Sequence, residues 1–151
     1  MFKKIAVALD GSKCADEAFD VALNLAKNES AELAICSIVD PIVFVGTTPP
    51  SPATAQMLND RETETRQLVE MAVTKAKLAG VKAEGEMHLG VPYEEILRFT
   101  KRHGADAIVV GTHGRGGLKR LFLGSVAESV LHAATCPVIV VREHAAKAVH
   151  A

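Results

Sequence analysis

Residues 107–125 read AIVVGTHGRGGLKRLFLGS, an apolar run of four residues that stops on a glycine and opens into a glycine-rich segment. Ala107 to Val110 is too short for a helix, so it predicts a buried strand whose carboxyl end meets a turn. Gly111, Gly114, Gly116 and Gly117 follow within one short stretch. Glycine enters positive φ at little cost and lets a ligand approach where a Cβ would collide. Four of them can turn successive amides inward as an anion nest. Gly124-Ser125 then starts the next helix, whose free amides and dipole favour negative charge. Arg115, inside the glycine run, is the cation expected to reach phosphate oxygens, whereas Lys119 and Arg120 serve either the ligand or the solvent. Ser125 either donates to phosphate or caps the helix, because Ser125-Val-Ala-Glu128 fits a capping box.

Working outward, Lys4 to Leu9 (KIAVAL) is a second apolar run, ended by Asp10-Gly11. Ser12 is placed to cap the helix that follows, with Ala15, Ala18, Phe19, Ala22, Leu25 and Ala26 on its apolar face. Leu33 to Val39 (LAICSIV) reads as a buried strand, and Val138 to Val141 as another, after Pro137. Val81 to Leu89 (VKAEGEMHL) alternates instead, which suits a strand at a sheet edge. Helices are expected over 56–79, with Leu58, Thr65, Leu68, Val69, Ala72, Ala76 and Ala79 inward, and from Pro92 to about His103. The helix after Ser125 is expected to carry Val126, Val130, Leu131 and Ala134. The alternation of strand and helix predicts an α/β fold with a single doubly wound, five-stranded parallel sheet and helices on both faces. Edge character for the third strand and burial of the first and fourth give the order 3-2-1-4-5. The winding then reverses between strands 1 and 4, where ligands of such sheets bind. Asp10 follows one of these strands and Gly111 the other.

The chain has 151 residues, 48% hydrophobic and 23% charged, which suits one globular domain over 1–143 followed by a short polar tail over 144–151. With a net charge of -1 it lacks the basic excess expected of a nucleic-acid partner. The apolar run behind Met1-Phe2-Lys3-Lys4 is too short for a signal-peptide core or a membrane span. Cys14, Cys36 and Cys136 lie in separate apolar or helical segments, which suits reduced, buried thiols in the cytoplasm. From Asp40 to Ala55, Pro41, Gly46, Pro49, Pro50 and Pro52 are expected to prevent any regular element. This long excursion serves either function or mere connection.

The glycine segment is not a Walker A loop, since no GK[ST] follows at the required spacing. The first strand is not followed by a dinucleotide fingerprint either. A phosphoacceptor receiver would need an Asp after the third strand and a Lys after the fifth, where this chain has Met87-His88-Leu89 and Val141-Arg142. Asp10 has three open roles: to bond a ribose or base edge, to hold a divalent ion against phosphates, or to cap its own turn. His88, His103, His132, His144 and His150 have no metal-ligand spacing and are expected to pack or meet solvent.

Gly111, Gly114, Gly124 and Ser125 match the pattern G-2x-G-9x-G-[S/T]. With the opening KKIAVALDGS, the segment HLGVP at His88–Pro92, the strand ADAIVVGTHGRGG and the closing TCPVIVVR, the chain resembles the universal stress protein family, in its ATP-binding branch, over nearly its whole length. The resemblance implies that Asp10 contacts the ribose or adenine side and that the backbone of Val39 reads the adenine edge. It implies that Val110 lines the pocket, and that Gly111, His113, Gly114, Gly124, Ser125 and Val126 surround ribose and phosphates. The family often has a hydroxyl where this chain has Ala127, which implies one phosphate bond fewer. It also implies a homodimer through the last strand, Pro137 to Val141, an edge that needs pairing or cover in any case.

The leading expectation is a cytoplasmic stress-response regulator that binds ATP, or AMP or ADP, with Mg²⁺ as a further candidate. Its nucleotide-bound and empty forms would present different surfaces to an unidentified regulatory protein. A slow Mg-dependent ATP hydrolase is the second reading, with Asp10, Mg²⁺ and Arg115 supplying part of the chemistry but no secure general base; His113 either fixes the loop or packs on the nucleotide. A dimeric interaction module without nucleotide is the third. Neither nucleic acid nor membrane is an expected partner.

Overall fold

In the computed structural model, which describes residues 1–45, 49–114 and 123–144 apart from the side chains at 44 and 45, Lys4–Leu9 (β1) leads into Lys13–Glu29 (α1) and Glu32–Val39 (β2). Ile42–Val45 (α2), Pro52–Leu78 (α3) and Ala83–Leu89 (β3) come next. Pro92–His103 (α4), Ala107–Gly111 (β4), Ser125–Ala133 (α5) and Val138–Val141 (β5) complete the order. All strand pairs are parallel and the sheet runs β3-β2-β1-β4-β5, the order expected from the sequence.

Residue parity along the central strands sorts the two faces. Ile5, Val7, Leu9, Leu33, Ile35 and Val109 pack with Ala15, Ala18, Phe19 and Ala22 of α1 and with Val69, Ala72 and Ala76 of α3. The intervening Ala6, Ala34, Cys36, Ile108 and Val110 pack with Ile96 and Phe99 of α4 and with Ala127 and Val130 of α5. Small strand residues on this second face leave room for Phe99, which is 1% exposed. Alternate side chains of a strand point to opposite faces, so near-continuous apolar runs bury both.

Several local expectations are corrected. The stretch 40–55 contains regular structure: the Ile42 amide donates to Asp40 Oδ1 at 3.0 Å at the start of α2. Ser51 caps α3, its Oγ accepting from the Thr54 amide at 3.1 Å. Pro52 is the first residue of α3, a position whose amide needs no intrahelical partner, so the proline starts the helix instead of blocking it. In α5 the inward residues are Ala127 and Val130, while Val126 is 36% and Leu131 43% exposed. Cys14 and Cys36 are buried, but Cys136 is only half-buried.

At the β3 edge, His88 and His103 belong to an ionic cluster. Glu86 Oε2 lies 3.0 Å from His88 Nε2 and 2.9 Å from His103 Nε2, and it accepts from Arg102. Partial burial disfavours the Glu86 carboxylate, yet the bonds to His103 and His88 and the charge of Arg102 outweigh it and hold its pKa down at about 2. Charge on an edge strand also discourages pairing with another chain.

Candidate functional site

The turns after β1 and β4 face each other where the winding reverses. Asp10 Oδ1 accepts from the Ser12 amide at 2.9 Å, so one carboxylate oxygen performs the turn-capping role. Oδ2 faces the other loop: a Cβ on Gly114 would stand 2.7 Å from it. Asp10 and Gly114 are thus brought together across the crevice.

The two ends of the glycine segment are joined at Thr112. Its amide donates to the Val141 carbonyl at 2.9 Å, and its own carbonyl accepts from the Gly124 amide at 2.7 Å. A Cβ on Gly124 would lie 2.7 Å from that Thr112 oxygen, and one on Gly111 would lie 2.8 Å from Cys14 Cβ and 2.9 Å from the Cys14 backbone carbon. None of Gly111, Gly114 and Gly124 has positive φ. Of the two reasons for glycine given by the sequence, positive φ therefore does not apply at these three positions and close approach does. Gly111 and Gly124 are needed because the Cys14 backbone of α1 and the Thr112 carbonyl approach too closely for a side chain, whereas the close neighbour of Gly114 is the end of the Asp10 side chain. Arg115, Gly116, Gly117, Lys119 and Arg120 lie outside the described residues.

The start of α5 also departs from expectation. Gly124, at φ -62° and ψ 153°, is the capping residue, and Ser125 is the first residue of the helix. No side chain caps this end, so the expected capping box does not form; Glu128 Oε1 lies 3.8 Å from His132 Nε2. The amides of Ser125, Val126 and Ala127 have no partner within the helix. Ser125 Oγ is left without a capping duty, and both Ser125 and Val126 are exposed. Ala127 is 3% exposed and packs in the apolar layer beneath.

Val39 ends β2, with its side chain buried and its carbonyl accepting from the Gly90 amide at 3.0 Å. The Val110 side chain is 4% exposed and belongs to the α4/α5 layer, so it supports Gly111 from below. His113 Nδ1 sits 3.0 Å from Thr112 Oγ1, while its Nε2 is buried with no hydrogen-bond partner among the described residues. Thr112, 6% exposed, was not singled out from the sequence. Its only sequence signal is a hydroxyl set between a strand-ending glycine and a histidine. Among the described residues no group of three or more His, Cys, Asp and Glu side chains is arranged to hold a metal, so Asp10 stands as a single carboxylate. Chemically the crevice offers helix-terminal amide donors, a hydroxyl, an imidazole nitrogen and one carboxylate. That is a set for an anion linked to a polar, hydroxyl-bearing group.

Comparison with known proteins shows the family and the fold. The Universal stress protein family description matches residues 1–142. The chain is 41% identical to Universal stress protein MJ0531 of Methanocaldococcus jannaschii, over 95% of this chain and 84% of that one. The solved structure of the hypothetical protein MJ0577 superposes with a TM-score of 0.80 at 25% identity, covering 97% of this chain and 99% of that one. A universal stress protein solved in complex with cAMP superposes with a TM-score of 0.62 at 26% identity, covering 95% and 98%. Among the described residues no helix is long and apolar enough to cross a membrane. On sequence, fold order and the spacing of its glycine segment, the chain belongs to the universal stress protein family.

Proposed function

We propose that the chain is a regulatory protein that binds an adenine nucleotide, with ATP as the leading ligand and ADP or AMP as relatives of it. One observation carries this reading: the α5 N-terminus is uncapped and tied by Gly124 to Thr112, in the crevice where Asp10 Oδ2 meets Gly114. In this reading Gly114 and the amides from Gly124 to Val126 receive the phosphates, assisted by Ser125 Oγ, His113 Nε2, Arg115 and Gly116. Asp10 Oδ2 takes the ribose side, the Val39 backbone takes the adenine edge, and Val110 and Gly111 form the floor. The cAMP held by a relative supports a cyclic or linear adenine nucleotide as the ligand class. Mg²⁺ would be held by Asp10 together with phosphate oxygens, the usual pattern of one or two carboxylates plus substrate.

The protein acts as a cytoplasmic homodimer through the edge of β5, where pairing with a second copy removes unpaired backbone groups. Its nucleotide-bound and empty forms favour different surfaces for a regulatory partner, with the segment 40–55 as the responsive part. Such a switch requires unequal affinity of the nucleotide for the two forms.

The test is identification of nucleotide carried by the purified protein, with its phosphate count, followed by calorimetry with ATP, ADP and AMP. Saturable binding of at least one is expected. No bound nucleotide and no heat with any of the three would overturn the reading in favour of an interaction module. Steady release of inorganic phosphate, lost in Asp10→Ala, would move it to the slow hydrolase.

A further inference from the structure

We infer that Thr112 and Cys14 are positioning residues that hold His113 in the tautomer protonated at Nε2, so that the site presents this nitrogen as a donor to an anionic oxygen. The nature of that acceptor rests on the nucleotide reading above; the relay itself does not.

The Thr112 hydroxyl lies between two partners, 3.6 Å from Cys14 Sγ and 3.0 Å from His113 Nδ1. Both Thr112 and Cys14 are buried. A hydroxyl has one proton, so it donates to one partner and accepts from the other. Two chains of donation satisfy the geometry. In one, the thiol donates to Thr112 Oγ1 and the hydroxyl donates to His113 Nδ1, which leaves the imidazole proton on Nε2. In the other, Nδ1–H donates to the hydroxyl and the hydroxyl donates to sulfur, which leaves Nε2 as an acceptor.

The first chain is favoured because the hydroxyl proton goes to an imidazole nitrogen, a far better acceptor than thiol sulfur. It also suits the surroundings. Nε2 is buried and unpartnered among the described residues, and Gly114, the next residue, packs on Asp10. The neighbouring helix start offers amide donors and the Ser125 hydroxyl. A donor at Nε2 joins that set, whereas a lone pair there would repel the anion the amides attract. A buried polar atom without a partner calls for one to arrive with the ligand. Cys14 is the foot of the chain: its proton fixes the direction in which the hydroxyl points. The same residue touches Gly111, so the relay is built into the packing of α1 against the end of β4.

The experiment is ¹⁵N magnetic resonance of the histidine-labelled full chain at a pH where the ring is neutral. The His113 signal is assigned by its loss in His113→Gln, and calorimetry with AMP and with adenosine is run on the same samples. Wild type is expected to show a pyrrole-type Nε2 and a pyridine-type Nδ1. Thr112→Val keeps the shape but removes the hydroxyl; the ring should relax toward mixed tautomers and AMP affinity should fall about fivefold to tenfold, with adenosine little changed. Thr112→Ser should restore both readouts, and Cys14→Ser, which keeps a donor, should retain them. A pyrrole-type Nδ1 in wild type, or a Thr112→Val ring identical to wild type, would overturn the relay. A ring with the expected tautomer in a protein that binds no AMP would uphold the relay and overturn the nucleotide reading instead.

Discussion

Two helices begin beside the crevice, and they begin differently. At α1 the capping residue Ser12 has φ -79° and ψ 159°, and its Oγ accepts from the Ala15 amide at 3.2 Å. The Ser12 amide in turn goes to Asp10 Oδ1. At α5 the capping residue Gly124 has nearly the same backbone, φ -62° and ψ 153°, but no side chain to fill the end. A serine at 124 would satisfy the helix, yet its Cβ would stand 2.7 Å from the Thr112 carbonyl that anchors the loop. The contact that closes the glycine segment therefore forbids the cap that would close the helix. One start is completed within the chain; the other leaves its first amides without a side-chain partner.

The most damaging change follows from that contact. Gly124→Val forces the Thr112 junction apart, at about 1–3 kcal/mol of folding stability by overpacking. ATP binding should fall by roughly 100-fold or more, about 3 kcal/mol, because the α5 amides lose their alignment. Thermal unfolding and calorimetry of the same sample separate the two losses; full ATP affinity in a destabilised Gly124→Val would break the contrast between the helices.

A matched pair of serine changes sharpens it. Ser12→Ala should lower stability by about 1 kcal/mol through loss of a cap while leaving ATP affinity unchanged. Ser125→Ala should do the reverse, leaving the melting temperature in place while weakening ATP by roughly tenfold, as for a hydrogen bond to a charged group. Equal destabilisation in both proteins would mean that Ser125 caps its helix after all.

How much of this was readable beforehand depended on whether a signal was local. β1 and β5 fall on the expected residues because apolar runs with hard stops at Asp10-Gly11 and Pro137 leave little freedom. The switch point followed from strand order alone. Pro52 was misread because a proline looks the same whether it ends a segment or begins a helix, and the distinction lies in Ser51 before it. At Ser125 the sequence leaves capping and phosphate donation open: Ser-x-x-Glu fits a capping box, but the junction at Thr112 moves the cap back by one residue. Thr112 carries no composition signal, since three of its four contacts, to Cys14, Gly124 and Val141 but not to the adjacent His113, are made with residues distant in sequence. For Gly111, Gly114 and Gly124 the sequence offers two reasons for glycine, positive φ and close approach, and does not distinguish them; the backbone here selects close approach.

The smallest effect serves as a control away from both helix starts. The Glu86 carboxylate is held at about 2, below its ordinary 4.5, by its histidine and arginine partners against the opposing effect of partial burial. A depressed folded-state pKa contributes stability that is present above about 4.5 and is lost as the pH falls toward 2. An acid titration should show wild type losing more stability over this window than Glu86→Gln. ATP affinity at neutral pH should be the same in both, because the cluster sits on β3 and α4 and not in the crevice. A large loss of ATP binding in Glu86→Gln would connect the edge to the site.

Amide resonances report whether the uncapped start of α5 is the phosphate end of a nucleotide site. In a titration of the ¹⁵N-labelled protein with ATP, saturable shifts should be largest at the amides of Gly114, Ser125, Val126 and Ala127, and small at Lys13 and Cys14 at the start of α1. Saturation with ATP that leaves the α5 amides unmoved, or moves the two helix starts equally, would contradict that assignment.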